Sequence, residues 1–240
     1  GAMPSRPLVL AHRGARRVAP ENTLAAFAAA REQGADGIEL DVRATRDGAL
    51  VVHHDPATAD GIAIAERTSD ELRAARPDVP TLVEALDVAR DLLVNVEIKN
   101  LPWEPAFDPS EAVADAVVDL LERRGSVDRV IVSSFNLASI DRVRERSATI
   151  PTGILFTGAA DLDVMAEVGR SRGHGALHPD VRGLDGDAAA AKLAVVLASG
   201  LAVNVWTVND AVDVVRLAGL GVDGLVTDTP DATLAALGAR

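Results

Sequence analysis

Residues 37–56 read GIELDVRATRDGALVVHHDP: an apolar, strand-like run with two carboxylates, a turn, and a return to two histidines. Side chains alternate across a strand. Glu39 and Asp41 therefore share one face of GIELDV, and Ile38, Leu40 and Val42 share the other. Two inward carboxylates repel one another and lose hydration, so they require a cation or protons. Arginines or water at a strand end would satisfy them as well as a metal, and on this strand alone the two readings stand level. Asp47-Gly48 is a hairpin turn signal. Pairing about it is expected to bring His54 opposite Asp41 on the same face, with His53 turned away as a structural histidine. A slip of one residue would exchange the two, because the side-chain period is two.

The rest of the chain alternates short β-like runs with helix-like Ala/Leu/Val segments. Core strands are expected at Leu8–Ala11, Gly37–Val42, Val94–Ile98, Arg129–Ser133, Thr152–Phe156, His174–His178, Ala202–Trp206 and Asp223–Thr227. Strict β–α alternation implies parallel strands joined by crossovers, and eight units in this length fit an α/β fold of the TIM (β/α)8 barrel type. The hairpin after the second strand is an extra element over the barrel mouth. A doubly wound open sheet is the alternative, weakened by the lack of a GxGxxG after the first strand. No linker-like composition divides residues 1–240, which are expected to form one catalytic domain after a cloning remnant at Gly1–Met3. Thr58–Val79 is the least regular stretch, either covering the pocket or connecting elements.

The chain has 240 residues, 48% of them hydrophobic, enough for one large domain with a substantial core. A formal charge of −12 argues against non-specific nucleic-acid binding. The absence of cysteine excludes disulfides and thiolate metal sites. No apolar run is long enough for an integral membrane segment. A cytoplasmic location is favoured, with export left open, and oligomeric state is not legible.

The strand LLVNVEIKN repeats the alternation, with Asn95, Glu97 and Lys99 on one face and Val94, Val96 and Ile98 on the other. Glu39, Asp41 and Glu97 would form an oxygen-rich cluster suited to one hard divalent cation, Mg²⁺ or Ca²⁺. Lys99 is placed to meet an anion beside it. The first strand ends LAHRGARRVAPENT, so His12 and Arg13 emerge at the C-terminal face, where TIM-barrel sites form. Asn22 or Thr23 can cap the helix that follows, and Asn22 is assigned that structural role. Two histidines flanking a metal can act as general acid and base. A cation with Arg13 and Lys99 would stabilise phosphate oxygens, so the ensemble suggests an anionic phosphate ester as small-molecule substrate. With no P-loop, a nucleotide phosphotransferase is disfavoured. Phe135 and Trp206 end strands on the open face, where lining the pocket and packing at the rim are equally good readings. His174 and His178 lack company to be ligands, although His178 could reach the mouth, and Asp223 and Asp228 read as turn and cap residues.

In order along the chain, AHRG…PENT, IELDV, HHDP, VEIK, SSFN, VWTVN and GVDGLVTDTP resemble the glycerophosphodiester phosphodiesterase family, from about Val9 to Pro230. The resemblance implies a TIM barrel and metal-dependent hydrolysis of glycerophosphodiesters to glycerol 3-phosphate and an alcohol. It carries the metal ligands onto Glu39, Asp41 and Glu97, the catalytic histidines onto His12 and His54, and phosphate-side positions onto Arg13 and Lys99. The implied route is attack of the glycerol 2-hydroxyl on phosphorus, then opening of a cyclic phosphate by water. The chain departs from the family in HDPATADGIAIAERTSDEL, which replaces an Arg-Thr-rich stretch, and in a short segment where other members carry an inserted lobe. Alternatives are a phospholipase D-like enzyme that releases cyclic phosphate from lysophospholipids, and a non-catalytic phosphodiester-binding barrel.

Overall fold

The structure, a computed structural model, describes residues 5–158 and 160–238. The stretch read as a cloning remnant lies outside the described residues. The elements run β1 (Leu8–His12), α1 (Leu24–Glu32), β2 (Gly37–Ala44), β3 (Leu50–Val52), α2 (Ser69–Ala75), α3 (Leu82–Val88), β4 (Leu93–Ile98) and α4 (Ala112–Arg124). They continue β5 (Val130–Ser134), α5 (Leu137–Arg146), β6 (Thr152–Phe156), α6 (Leu162–Arg172), β7 (Ala176–Pro179), α7 (Gly186–Ala198), β8 (Ala202–Val205), α8 (Ala211–Leu220), β9 (Gly224–Thr227) and α9 (Pro230–Ala236). Eight parallel strands close into a barrel through pairing of β1 with both β2 and β9, as the β–α alternation predicts.

The outward residues of each strand form the core with the surrounding helices. Ile38, Leu40 and Val42 pack in one cluster with Phe27 of α1, Leu82 and Leu86 of α3, and Val117 and Leu121 of α4. Ile154, Leu177, Val203 and Leu225 anchor a second cluster on the other half of the ring. The apolar half of each strand is thus committed to the shell, which frees the inward half for polar groups.

The extra strand, β3, occupies an edge that barrel closure leaves open. β1 pairs with β2 only as far as His12 opposite Glu39, so the far half of β2 lacks a neighbour on that side. β3 fills it antiparallel, with Val42 opposite Val52 and Ala44 opposite Leu50. This register corrects the predicted one. The turn is a three-residue loop closed by Thr45 N–H to Ala49 O at 2.9 Å, with Gly48 at φ 81°, rather than a two-residue loop at Asp47-Gly48. The longer loop slips the pairing by one, so His53, not His54, lies opposite Asp41, and its N–H donates to the Asp41 carbonyl at 3.0 Å. The irregular stretch after it contains a 3-10 turn at Ile64–Glu66 and α2, a helix that the sequence reading did not anticipate. Its Ile64 and Leu72 pack with Val51 and Val79 in a small core of their own.

Candidate active site

A cavity of about 220 Å³ opens at the C-terminal ends of the strands. Its lining divides sharply. β1, β2 and β4 contribute His12, Glu39, Asp41, Asn95 and Glu97, while Phe135, Leu155, Trp206 and Val226 form an apolar wall opposite. Phe135 and Trp206 therefore line the cavity rather than pack beside it, meeting edge to face at 5.7 Å.

The adjacent pairing of β2 and β4 sets Asp41 beside Glu97. Glu39, Asp41 and Glu97 are all buried, and each offers an oxygen within 4.8 Å of the others. Burial, then the charges of Asp41 and Glu97, pushes Glu39 well above the usual carboxylate range. Burial and the Asp41 charge likewise push Glu97 up to about 7, against the pull of Lys99. Burial opposes ionisation of Asp41 too, but Lys99, His54, Arg13 and a hydrogen bond from Asn22 outweigh it and hold its pKa below normal. Lys99 Nζ lies 2.5 Å from Glu97 and 3.9 Å from Asp41. Arg13 brings its Nε to 3.5 Å from Asp41, but it is shared with Glu21, which it also meets at 3.0 Å. The main-chain N–H of Arg13 donates to Glu39 at 3.2 Å.

The two histidines present their rings through different devices. His12 Nδ1–H donates to Asp228 at 2.7 Å, and its Nε2 faces Glu39 at 3.9 Å. Asp228 in turn accepts from Asn209 Nδ2 at 2.7 Å. Burial opposes its ionisation, but those bonds and the neighbouring cations hold its pKa down at about 2. Asp228, a turn or cap residue by its local sequence, is in the structure the group that orients His12, with nothing local in the chain to announce it. His54 lines the cavity although it lies one residue past the position opposite Asp41. The β3 ladder ends at Val52 and the chain bends, so His54 reaches the cavity, whereas His53 lines only a neighbouring hollow with Arg76 and Asp78, which His54 also borders. His54 Nδ1–H donates to Asp55 at 2.7 Å, which leaves the Nε2 lone pair free. Burial holds its pKa below the ordinary imidazole value despite the Asp41 charge.

Asn22 also departs from its predicted role. Thr23, not Asn22, caps α1 by accepting from Ala26 N–H. Asn22 is buried at φ 55°, a left-handed conformation that asparagine tolerates, and its Nδ2 donates to Asp41 at 3.0 Å. Asn22→Gly retains that backbone and is expected to weaken divalent-cation binding by about 10–100-fold, the usual cost of losing a group that orients a ligand. Titration calorimetry with Mg²⁺ checks this, and Thr23→Ala, which removes only the helix cap, should leave the affinity unchanged. His178 is buried on the cavity floor and accepts from Asn204 at 3.0 Å, with its pKa lowered to about 4 by burial. His174 lies between Thr152 and Asp141, away from the cavity.

Residues 12–232 match the family described as Glycerophosphoryl diester phosphodiesterase family. A glycerophosphodiester phosphodiesterase of Caldanaerobacter subterraneus subsp. tengcongensis is 33% identical over 94% of this chain and 96% of its own. Among solved structures, a glycerophosphodiester phosphodiesterase of Thermotoga maritima superposes with a TM-score of 0.83 at 28% identity, covering 96% of this chain and 98% of that one. An Oleispira antarctica phosphodiesterase in complex with its product sn-glycerol-3-phosphate gives 0.85 at 26% identity, with 98% of each chain covered.

Proposed function

Because this chain belongs to the glycerophosphoryl diester phosphodiesterase family, we propose that it hydrolyses glycerophosphodiesters with one divalent cation on Glu39, Asp41 and Glu97 and with His12 and His54 as general acid and base. The chain is an enzyme of the phosphoric diester hydrolase class. One observation carries the finer reading. Three buried carboxylates and two imidazoles, each with Nε2 unclaimed by its orienting carboxylate, converge on one cavity.

The donor set fits a hard cation. All three donors are carboxylate oxygens, and Lys99 and Arg13 leave Glu39 and Glu97 still resisting ionisation. Bound there, Mg²⁺ or Ca²⁺ would supply Lewis-acid stabilisation of charge on the phosphoryl oxygens. The remaining work falls to the chain's own groups. Lys99 and Arg13 supply fixed positive charge beside the phosphate. One imidazole Nε2 takes the proton of the glycerol 2-hydroxyl as it attacks phosphorus, and the other protonates the departing alcohol. The roles then reverse as water opens the cyclic phosphate. Asp228 and Asp55 hold the two rings and stabilise whichever becomes imidazolium. The apolar wall of Phe135, Leu155 and Trp206 faces the carbon skeleton and keeps bulk water off the phosphate.

The purified protein with Mg²⁺ or Ca²⁺ is expected to release glycerol 3-phosphate and free alcohol from glycerophosphocholine, glycerophosphoethanolamine or glycerophosphoglycerol. Phosphorus NMR of the reaction follows it directly. Cyclic phosphate that accumulates and is never opened would replace this reading with a phospholipase D-like one. No turnover of any member of the panel would leave a binding barrel.

A further inference from the structure

Beyond the groups that face the substrate, the geometry points to Arg43, in partnership with Glu104, as the residue that positions His54 for catalysis. This inference rests on the general acid/base role proposed for His54. Arg43 follows Glu39 and Asp41 on the same face of β2, at the same two-residue interval. It is only 6% exposed. Its Nε and Nη2 both donate to the His54 carbonyl, at 3.0 and 2.6 Å. Its Nη1 and Nη2 donate to Glu104, at 2.7 and 3.2 Å. The planar fork of a guanidinium satisfies both partners at once, which a lysine ammonium could not reproduce.

The need for such a clamp follows from the slipped hairpin. His54 lies two residues beyond the end of β3, past the last ladder bond from His53, and its ring is partly exposed. Asp55, which holds the ring, is itself exposed on the same loop and so does not tie it to the barrel. Arg43 ties the His54 main chain back to β2, the strand that carries two of the three carboxylates. Glu104 fixes the guanidinium from the segment that follows Lys99 and the third carboxylate's strand. The imidazole and the metal cluster are thereby held in one frame, although His54 belongs to a loop. A misplacement of about 1 Å at such a group can cost on the order of 100-fold in rate.

The test is a double-mutant cycle. Arg43→Met leaves the half-buried Glu104 charge without its partner and can fail to fold, so the working variant is Arg43→Met/Glu104→Gln, which removes charge and partner together. It is expected to lower kcat by about 10–100-fold, with KM and calorimetric Mg²⁺ affinity close to wild type. Placed in a His54→Ala background, the same pair of substitutions should cost nothing further in kcat, because the ring it positions is gone. Proton NMR should show the His54 ring signal, assigned by its loss in His54→Ala, shifted or broadened in the clamp variant while the His12 signal stays in place. An equal loss of kcat in both backgrounds, a loss of Mg²⁺ affinity, or an undisturbed His54 signal overturns the positioning role and leaves the role of His54 intact. Full activity of His54→Ala itself overturns both.

Discussion

His54→Ala and His12→Ala are each expected to lower kcat by about 10²–10⁴-fold, the usual range for losing one general acid or base. Both variants should bind Mg²⁺ with wild-type affinity by calorimetry. The expectation follows from how the rings are presented. Each donates Nδ1–H to a carboxylate, His12 to Asp228 and His54 to Asp55, which holds the neutral imidazole in one tautomer and leaves Nε2 towards the cavity. His53→Ala is the control. Its ring donates to the Asp55 carbonyl and does not line the cavity that holds the carboxylates, so turnover should stay close to wild type. An inactive His53 variant beside an active His54 variant would show that the bend after β3 turns the other ring inward. Asp228→Asn should reproduce part of the His12 loss, because an amide can hold the ring but cannot stabilise the imidazolium.

Glu97→Gln should weaken divalent-cation binding by at least about 100-fold, more than replacing a residue that merely orients a ligand, and should abolish turnover at cation concentrations that saturate the wild type. Glu39→Gln should behave alike. The physical chemistry predicts a second, opposite effect in the cation-free protein. Glu39 and Glu97 resist ionisation because burial and mutual repulsion penalise the charge. Replacing Glu39 by a neutral amide of the same shape relieves that repulsion, so the cation-free Tm of Glu39→Gln should equal or exceed that of the wild type. Adding Mg²⁺ should then raise the Tm of the wild type, through preferential binding to the folded state, and leave that of the variant unmoved. A Tm that rises with Mg²⁺ in both proteins would place the cation elsewhere. The cluster thus reads as a local instability retained for function, which is common where activity needs like charges close together.

Much of this was legible before the chain was folded. Alternation in GIELDV and LVNVEI assigned Glu39, Asp41 and Glu97 to the inner face, and the structure places them there, because the period of a strand is a local property. The hairpin was legible as an element but not in register. A three-residue loop and a two-residue loop carry the same Asp-Gly signal, and the choice between them is made by the closing bonds of Thr45 and Ala49. His54 still reaches the cavity because the ladder stops short of it, an effect of strand length that no pairing rule contains.

Other members of the site were hidden for a different reason. Asp228 meets His12 across 216 positions of sequence, and Asn22 meets Asp41 across the β1–α1 connection. Both look like turn and cap residues, since aspartate and asparagine are common in those places for purely local reasons. Arg43 follows the inward alternation, but its partners Glu104 and the His54 carbonyl lie on two separate loops.

Local sequence encodes the barrel, the inner and outer faces of the two carboxylate-bearing strands, and the three carboxylates with the residue types around them. Those depend on periodicity and on burial of apolar surface, which neighbouring residues encode. Folding alone settles which carboxylate orients His12, which histidine enters the cavity and what holds it there. Those depend on ring closure, on the exact end of a three-residue strand and on loops that meet across the mouth, and each is set by contacts between segments remote in the chain.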